Sequence, residues 1–145
     1  MEKNKEEVIK ELNEYLKGEY MGIHGYEHYI HHTEDPVLKK ELQRIQQEHK
    51  QHAAKTAERI QNLGGKAAND NGMKLTMAEM MMNFKKVPKD NKEIIKGVLE
   101  GQEMGVRKAE EIIKGDLDPE SLAVIQANLE EDYAHIEQLN RMMEK

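Results

Sequence analysis

Apolar residues recur at the three- and four-residue spacing of an α-helix in four long segments of this chain. Residues that typically start or end helices separate the segments. Asp35-Pro36 and Asp118-Pro119 are typical starts, and Gly64-Gly65 and Gly115 are typical ends. We therefore expect helices over about residues 6–32, 35–63, 90–114 and 118–143. Because each apolar stripe must be covered by another, these segments predict a four-helix bundle.

The composition also favours an all-α fold. Charged residues make up 34% of the chain and hydrophobic residues 37%, with no Trp, one Phe and three Pro. The residues that dominate are good helix formers. A chain of 145 residues is long enough for one domain with a buried core, so we expect a single domain over residues 1–145.

Several classes of function are disfavoured by composition. The chain has no cysteine, which excludes disulfides, thiolate metal sites and cysteine catalysis. A net charge of -6 argues against nucleic acid as a partner. No apolar run approaches the roughly 20 residues that a membrane span needs, and the first residues lack the apolar stretch of a signal peptide. We therefore expect a cytoplasmic protein without a membrane partner.

The connection between the second and third helices, about residues 66–89, is too long for a tight turn. Thr76 and Glu79 form a capping-box pattern, which predicts a short helix over residues 77–86. Two short connections on either side of one long crossover are similar to a ferritin-like bundle rather than to a simple up-down-up-down bundle.

Polar residues interrupt each apolar stripe near its centre. Helices of similar length that pack side by side bring their centres to one level, so these residues are expected to meet in the core. They are Glu19, His49, His52, Glu103, Asp132 and His135. Burying an unpaired charge costs on the order of several kcal/mol, so the groups must neutralise one another, take up protons or bind a cation. Mixed imidazole and carboxylate ligands suit zinc, ferrous iron or manganese.

Three stretches carry a resemblance to a known superfamily: residues 12–19 with Ile23 and Tyr26, residues 52–60, and residues 129–136. They resemble the first, second and fourth helices of bacterioferritin. Over nearly its whole length, the chain resembles the ferritin-like superfamily of bacterioferritin, rubrerythrin and their smaller bacterial relatives. The layout of residues 64–66, 101–103 and 118–119 is also similar to small ferritin-like bacterial bundles of unassigned function.

The resemblance implies roles for the six central residues. Glu19 and Glu103 would be terminal ligands, and His52 and His135 would supply nitrogen. The family motif is Glu-x-x-His on the second and fourth helices, and its first position is His49 on one helix and Asp132 on the other. Asp132 could still bridge two metals, whereas His49 would be a nitrogen ligand in place of the usual bridge. The implied cofactor is one or two iron ions, and the implied chemistry is oxidation of ferrous iron by oxygen or peroxide.

Two departures from bacterioferritin narrow these expectations. Lys50 stands where bacterioferritin has the methionine that ligates haem, so we expect this chain not to bind haem through that position. The short fifth helix of 24-subunit ferritins has no counterpart before Lys145, so we expect a monomer or a homodimer rather than a large shell.

Alternatives remain open beside this interpretation. The bundle could hold one metal ion without catalysis, or it could be a metal-free structural or interaction protein. The first helix carries a second cluster of His24, His28, His31 and His32. In it, His24 and His28 with Glu27 beside them could form an accessory metal site, although a solvated face is favoured. The crossover methionines favour core packing of the short helix over a copper(I) site or a dimer contact; they are Met73, Met77, Met80, Met81 and Met82.

Overall fold

The computed structural model describes residues 4–71 and 90–144, and these residues confirm the all-α prediction. Four helices are present in them: α1 (Lys5–His32), α2 (Pro36–Asn62), α3 (Asn91–Ile113) and α4 (Pro119–Met143). Every helix end lies within one residue of the end expected from the sequence. Within the described ranges, no helix combines the length and apolar character that a membrane crossing requires.

The aspartate, proline and glycine residues that were expected to start and end the helices do so. Asp35 caps α2 and Asp118 caps α4, each accepting a hydrogen bond from a backbone N–H in the first turn, with proline at the first helical position. At the end of α2, Gly64 adopts a positive φ of 89°. The Gly65 N–H then donates to the Ile60 carbonyl at 2.9 Å, which completes a Schellman motif.

The helices pack in the circular order α1–α2–α4–α3. Asn91 at the start of α3 donates a hydrogen bond to Asp35 at the start of α2, so these two helices begin at the same end of the bundle. The connection between them must therefore return over the length of a helix, roughly 35 Å at 1.5 Å per residue. This topology explains the long crossover. The short helix predicted over residues 77–86, and the methionine cluster from Met73 to Met82, lie outside the described residues.

The apolar core has two parts along the bundle axis. One part joins the beginnings of α1 and α4 to the ends of α2 and α3; its fully buried members include Leu12, Leu16, Ile60, Ala109 and Ile125. The other part joins the opposite ends of the same helices and includes Leu38, Leu42, Ile45, Ile94 and Leu139. Polar side chains occupy the level between these two parts.

Candidate metal centre

A layer of buried polar side chains crosses the bundle between the two parts of the core. Five of the six residues singled out in the sequence lie in it: Glu19, His49, His52, Asp132 and His135. Each is between 0% and 7% exposed. Together with the buried Gln102, they form what we call the polar layer.

The prediction that Glu103 points into this layer is wrong. Glu103 is exposed, whereas its neighbour Gln102 is only 5% exposed. Gln102 lies four residues from both Val98 and Val106, which are buried on the inner face of α3. Residues four apart share a helix face, so Gln102 must point inward and Glu103 about 100° away from it. The third helix thus contributes an amide where a carboxylate was expected.

Glu19 and His49 form a buried ion pair. Glu19 Oε2 lies 2.8 Å from His49 Nδ1, and both side chains are almost fully buried. Burial by itself favours the neutral form of each group, but the hydrogen bond and the mutual charge outweigh it. The pKa of His49 is therefore raised to about 9 and the pKa of Glu19 is lowered to about 2. In the metal-free protein the pair is charged across the ordinary pH range.

The other two histidines of the layer are held by carboxylates of the opposite helix. His52 Nε2 lies 2.8 Å from Glu131 Oε1, and His135 Nε2 lies 3.1 Å from Glu48 Oε2. Because an ionised carboxylate only accepts, each Nε2 carries a proton and each Nδ1 faces the inside of the layer. His52 Nδ1 is buried and has no hydrogen-bond partner. It lies 3.8 Å from a carboxylate oxygen of Glu19.

Gln102 is at the centre of the hydrogen-bond network. Its Oε1 accepts a hydrogen bond from the Tyr26 hydroxyl at 2.7 Å and one from His49 Nε2 at 3.0 Å. Its Nε2 donates to Asp132 Oδ1 at 3.2 Å and to His135 Nδ1 at 3.1 Å. The amide therefore uses both of its donors and both of its acceptor positions within the layer. Burial also raises the pKa of the Tyr26 hydroxyl, so this group stays protonated as a donor.

The layer contains two groups of potential metal ligands. Glu19, His49 and His52 form the first group, and His49, Asp132 and His135 form the second. Within each group the ligand atoms lie within 4.8 Å of one another. Mixed nitrogen and oxygen donors of this kind suit zinc, ferrous iron and manganese. The unpartnered Nδ1 of His52 is a further sign of fit, since buried polar atoms normally have a partner.

The histidine cluster of the first helix is arranged differently. The rings of His28 and His32 lie 4.5 Å apart, and His32 Nδ1 contacts the His28 backbone carbonyl. His24 instead faces Asp70. Among the described residues, these histidines belong to no group of three converging donors. The interpretation as a surface face is therefore favoured over an accessory metal site.

Two further residues of the site, besides Gln102, were not among the six site residues predicted from the sequence. Glu48 and Glu131 are a quarter and under half exposed, and they lie one position before the stripe residues His49 and Asp132. Each precedes by four residues the histidine of its own helix, a spacing that suggests an intrahelical pair. The packing of α2 against α4 instead brings Glu48 to His135 and Glu131 to His52, so each carboxylate forms a hydrogen bond with the histidine of the opposite helix.

Solved structures share this fold. A ferritin-like, diiron-carboxylate protein from Bacillus anthracis aligns over 99% of both chains, with 21% identity and a TM-score of 0.73. The dodecameric thioferritin of Bacteroides fragilis, a bacterioferritin-related protein, covers 95% of this chain and 84% of its own, with 17% identity and a TM-score of 0.79. These similarities show that the chain has a ferritin-like fold.

A third structure places the same bundle within a longer protein. It is a two-domain protein from Anabaena variabilis with DJ-1/ThiJ/PfpI-like and ferritin-like domains, 17% identical with a TM-score of 0.79. The match covers 98% of this chain but only 37% of that protein. The bundle of this chain therefore corresponds to about a third of that relative.

Sequence comparison gives a family. No curated protein sequence is significantly similar to this chain. The family model described as a domain of unknown function, DUF2383, matches residues 7–115, which is well over half of the chain and includes nearly all of the first three helices of the bundle. The chain therefore belongs to the DUF2383 family, and its fold is a ferritin-like four-helix bundle.

Proposed function

We propose that this protein binds a divalent transition-metal ion, iron or one of similar chemistry, in the polar layer at mid-bundle. The observation that carries the proposal is the unpartnered Nδ1 of His52, buried beside the Glu19 carboxylate. A buried imidazole nitrogen without a partner costs free energy that a bound metal ion would offset. Iron is the first metal to test, because the Bacillus anthracis protein that shares this fold is a diiron-carboxylate protein.

The surroundings of the histidines support the same function. Histidines that bind metals usually donate their other ring N–H to a carboxylate or a carbonyl, which fixes the ring orientation. His52 and His135 both have this arrangement, with Glu131 and Glu48 as their acceptors. A layer that served only to set the helix register would not need both rings oriented with Nδ1 inward.

Metal content can be measured directly. Protein purified without a histidine tag would be stripped of metal, loaded with Fe²⁺ under anaerobic conditions or with Zn²⁺, and analysed by native mass spectrometry and elemental analysis. We expect tight binding in the wild type and a loss of at least tenfold in affinity in Glu19→Ala and His52→Ala. Glu103→Ala is the matched control, because Glu103 is exposed and should not contribute.

The outcomes separate the proposal from its alternative. Wild-type affinity in His52→Ala would exclude His52 as a ligand and contradict the proposed site, whereas a wild type that retains no metal would favour the metal-free structural bundle. Circular dichroism of each variant shows whether its helices are intact, so that a loss of binding is not confused with unfolding.

A second candidate function is the oxidation of ferrous iron as a substrate. Its basis is the second ligand group, which adjoins the first through His49 and would have to bind an ion in place of its hydrogen bonds to Gln102. Two ferrous ions would each give one electron to dioxygen, which takes up two protons and leaves as hydrogen peroxide. Ultraviolet absorbance of ferric iron after aerobic addition of Fe²⁺ tests this reaction. An unchanged rate relative to buffer would leave metal binding without turnover.

We also propose a monomer or a homodimer, although the Bacteroides fragilis relative is a dodecamer. Among the described residues, the exposed large hydrophobic side chains are Val37, Met104 and Tyr133, each on a different helix. Scattered residues of this kind do not form the contiguous patch of a large interface. Light scattering after size-exclusion chromatography would measure the number of chains in the assembly.

The single-domain organisation and the cytoplasmic location stay predictions from the sequence.

A further inference from the structure

We propose that Gln102 limits the polar layer to one metal ion, held by Glu19, His49 and His52. Gln102 does this in two ways: its amide N–H groups occupy the second ligand group, and its carbonyl orients His49 toward the first. The inference rests on the proposed function, because it concerns the number of ions that the layer accepts.

The amide of Gln102 has only one favourable orientation. Its Nε2 lies 3.2 Å from the carboxylate oxygen Oδ1 of Asp132. Exchanging the amide nitrogen and oxygen would place two acceptor oxygens against each other in a buried site. It would also turn the amide N–H groups toward His49, whose Nε2 now donates to Oε1. Asp132 therefore fixes the N–H groups on the side of the second ligand group.

These N–H groups block the second ligand group. One donates to Asp132 Oδ1 and the other to His135 Nδ1, at 3.2 and 3.1 Å. An amide nitrogen has no lone pair available for a metal, so Gln102 cannot become a ligand through it. An ion that bound Asp132 and His135 would have to break both hydrogen bonds and leave buried N–H groups unpaired. Leaving buried N–H groups without an acceptor is strongly unfavourable.

The first ligand group is oriented by the same residue. The Nε2 proton of His49 is held by Gln102 Oε1, and the Nε2 proton of His52 is held by Glu131. Both Nδ1 atoms consequently face Glu19 Oε2, at 2.8 Å for His49 and 3.8 Å for His52. Three protein ligands leave an open position for water or for an exchanging ligand.

The number of bound Zn²⁺ ions tests this inference. Native mass spectrometry of the full chain at saturating Zn²⁺ should find one ion per wild-type chain. Gln102→Glu replaces the N–H groups with a carboxylate oxygen, so we expect two ions per chain. Gln126→Glu is the matched control, since it adds the same charge at an exposed position of α4 and should leave one ion.

A second measurement uses the wild type alone. In ¹⁵N-labelled protein titrated with Zn²⁺, the Nδ1 resonance of His52 should move to the position of a metal-bound nitrogen, while that of His135 should not. Two ions in the wild type, metal coordination at His135 Nδ1, or one ion in a folded Gln102→Glu variant would each overturn the inference and leave metal binding intact. A wild type that binds no zinc and no iron would instead remove the proposed function.

Discussion

His52 on α2 and Glu131 on α4 are joined by a 2.8 Å hydrogen bond, and this contact has a reciprocal counterpart between the same helices. His135 on α4 bonds to Glu48 on α2 at 3.1 Å. Each helix therefore supplies a carboxylate that orients the histidine of the other. The two carboxylates are partly exposed, so they also connect the buried imidazoles to solvent.

Removing the charge of Glu131 should weaken metal binding without removing a ligand. We expect Glu131→Gln to lower the affinity for Zn²⁺ by about 10–100-fold, because His52 loses the acceptor that fixes its ring and raises its basicity. Isothermal titration calorimetry gives the affinity. Glu130→Gln removes the same charge from an exposed neighbour and should bind as the wild type does. Equal affinities of the two variants would contradict this role of Glu131.

The stability of the metal-free protein should fall as the pH rises through the range in which His49 titrates. The pKa of His49 is raised from 6.5 to about 9 in the folded state, so its contribution is complete below pH 6.5 and is lost as the pH rises through about 9. The pKa of His52 is raised as well, so His52 also makes the stability fall as the pH rises. For Glu19 the sign is opposite: its contribution is present above pH 4.5 and is lost toward about pH 2.

Urea unfolding of the metal-free protein at several pH values measures this dependence. Between pH 6.5 and 9 we expect the free energy of unfolding to fall by on the order of 1 kcal/mol per pH unit from His49. His49→Gln should remove most of the slope, whereas His31→Gln, at an exposed position, should keep it. A flat profile in the wild type would show that the Glu19–His49 pair is not charged.

Metal affinity should depend on pH in the opposite sense. His49 Nδ1 must lose its proton before it can bind an ion, so binding below about pH 9 should release at least one proton per ion. The affinity should then rise about tenfold per pH unit for each proton displaced. Calorimetry at pH 7 in two buffers of different ionisation enthalpy counts the protons. Binding without proton release would exclude His49 as a ligand.

The helices could be predicted from the sequence because local chemistry determines their ends. Asp35-Pro36 and Gly64-Gly65 act through bonds within a few residues, so their effect is readable without the fold. The position of the polar layer followed from a second local property, the length of each helix. Helices of similar length placed Glu19 and Asp132 at one level before any contact was known.

The errors arose where a position depends on rotation about a helix axis or on a neighbouring helix. Glu103 was chosen as the polar residue near the centre of the third helix and was favoured by the resemblance to bacterioferritin, whereas the spacing of Val98 and Val106 places Gln102 on the inner face. The roles of Glu48 and Glu131 could not be predicted, because the register of α2 against α4 is a tertiary property. A one-residue rotation of either helix would have paired each carboxylate differently.

Arg59 joins the end of α2 to the start of α4 and so helps to fix the register of these two helices. Removing its side chain should therefore destabilise the bundle. It is mostly buried near the end of α2 and bonds to Asp118, the N-cap of α4, at 2.8 Å and to the Ser121 hydroxyl at 3.0 Å. We expect Arg59→Ala to lower the free energy of unfolding by about 2 kcal/mol, because Asp118 loses a charged hydrogen bond in a partly buried site. Arg141→Ala is the control: Arg141 is over half exposed and, among the described residues, its side chain bonds to Glu137 and Gln138 of its own helix, so its loss should cost under about 1 kcal/mol. Urea unfolding ranks the variants, and equal losses would show that the α2–α4 contact at Arg59 does not stabilise the register on which the histidine–carboxylate pairs depend.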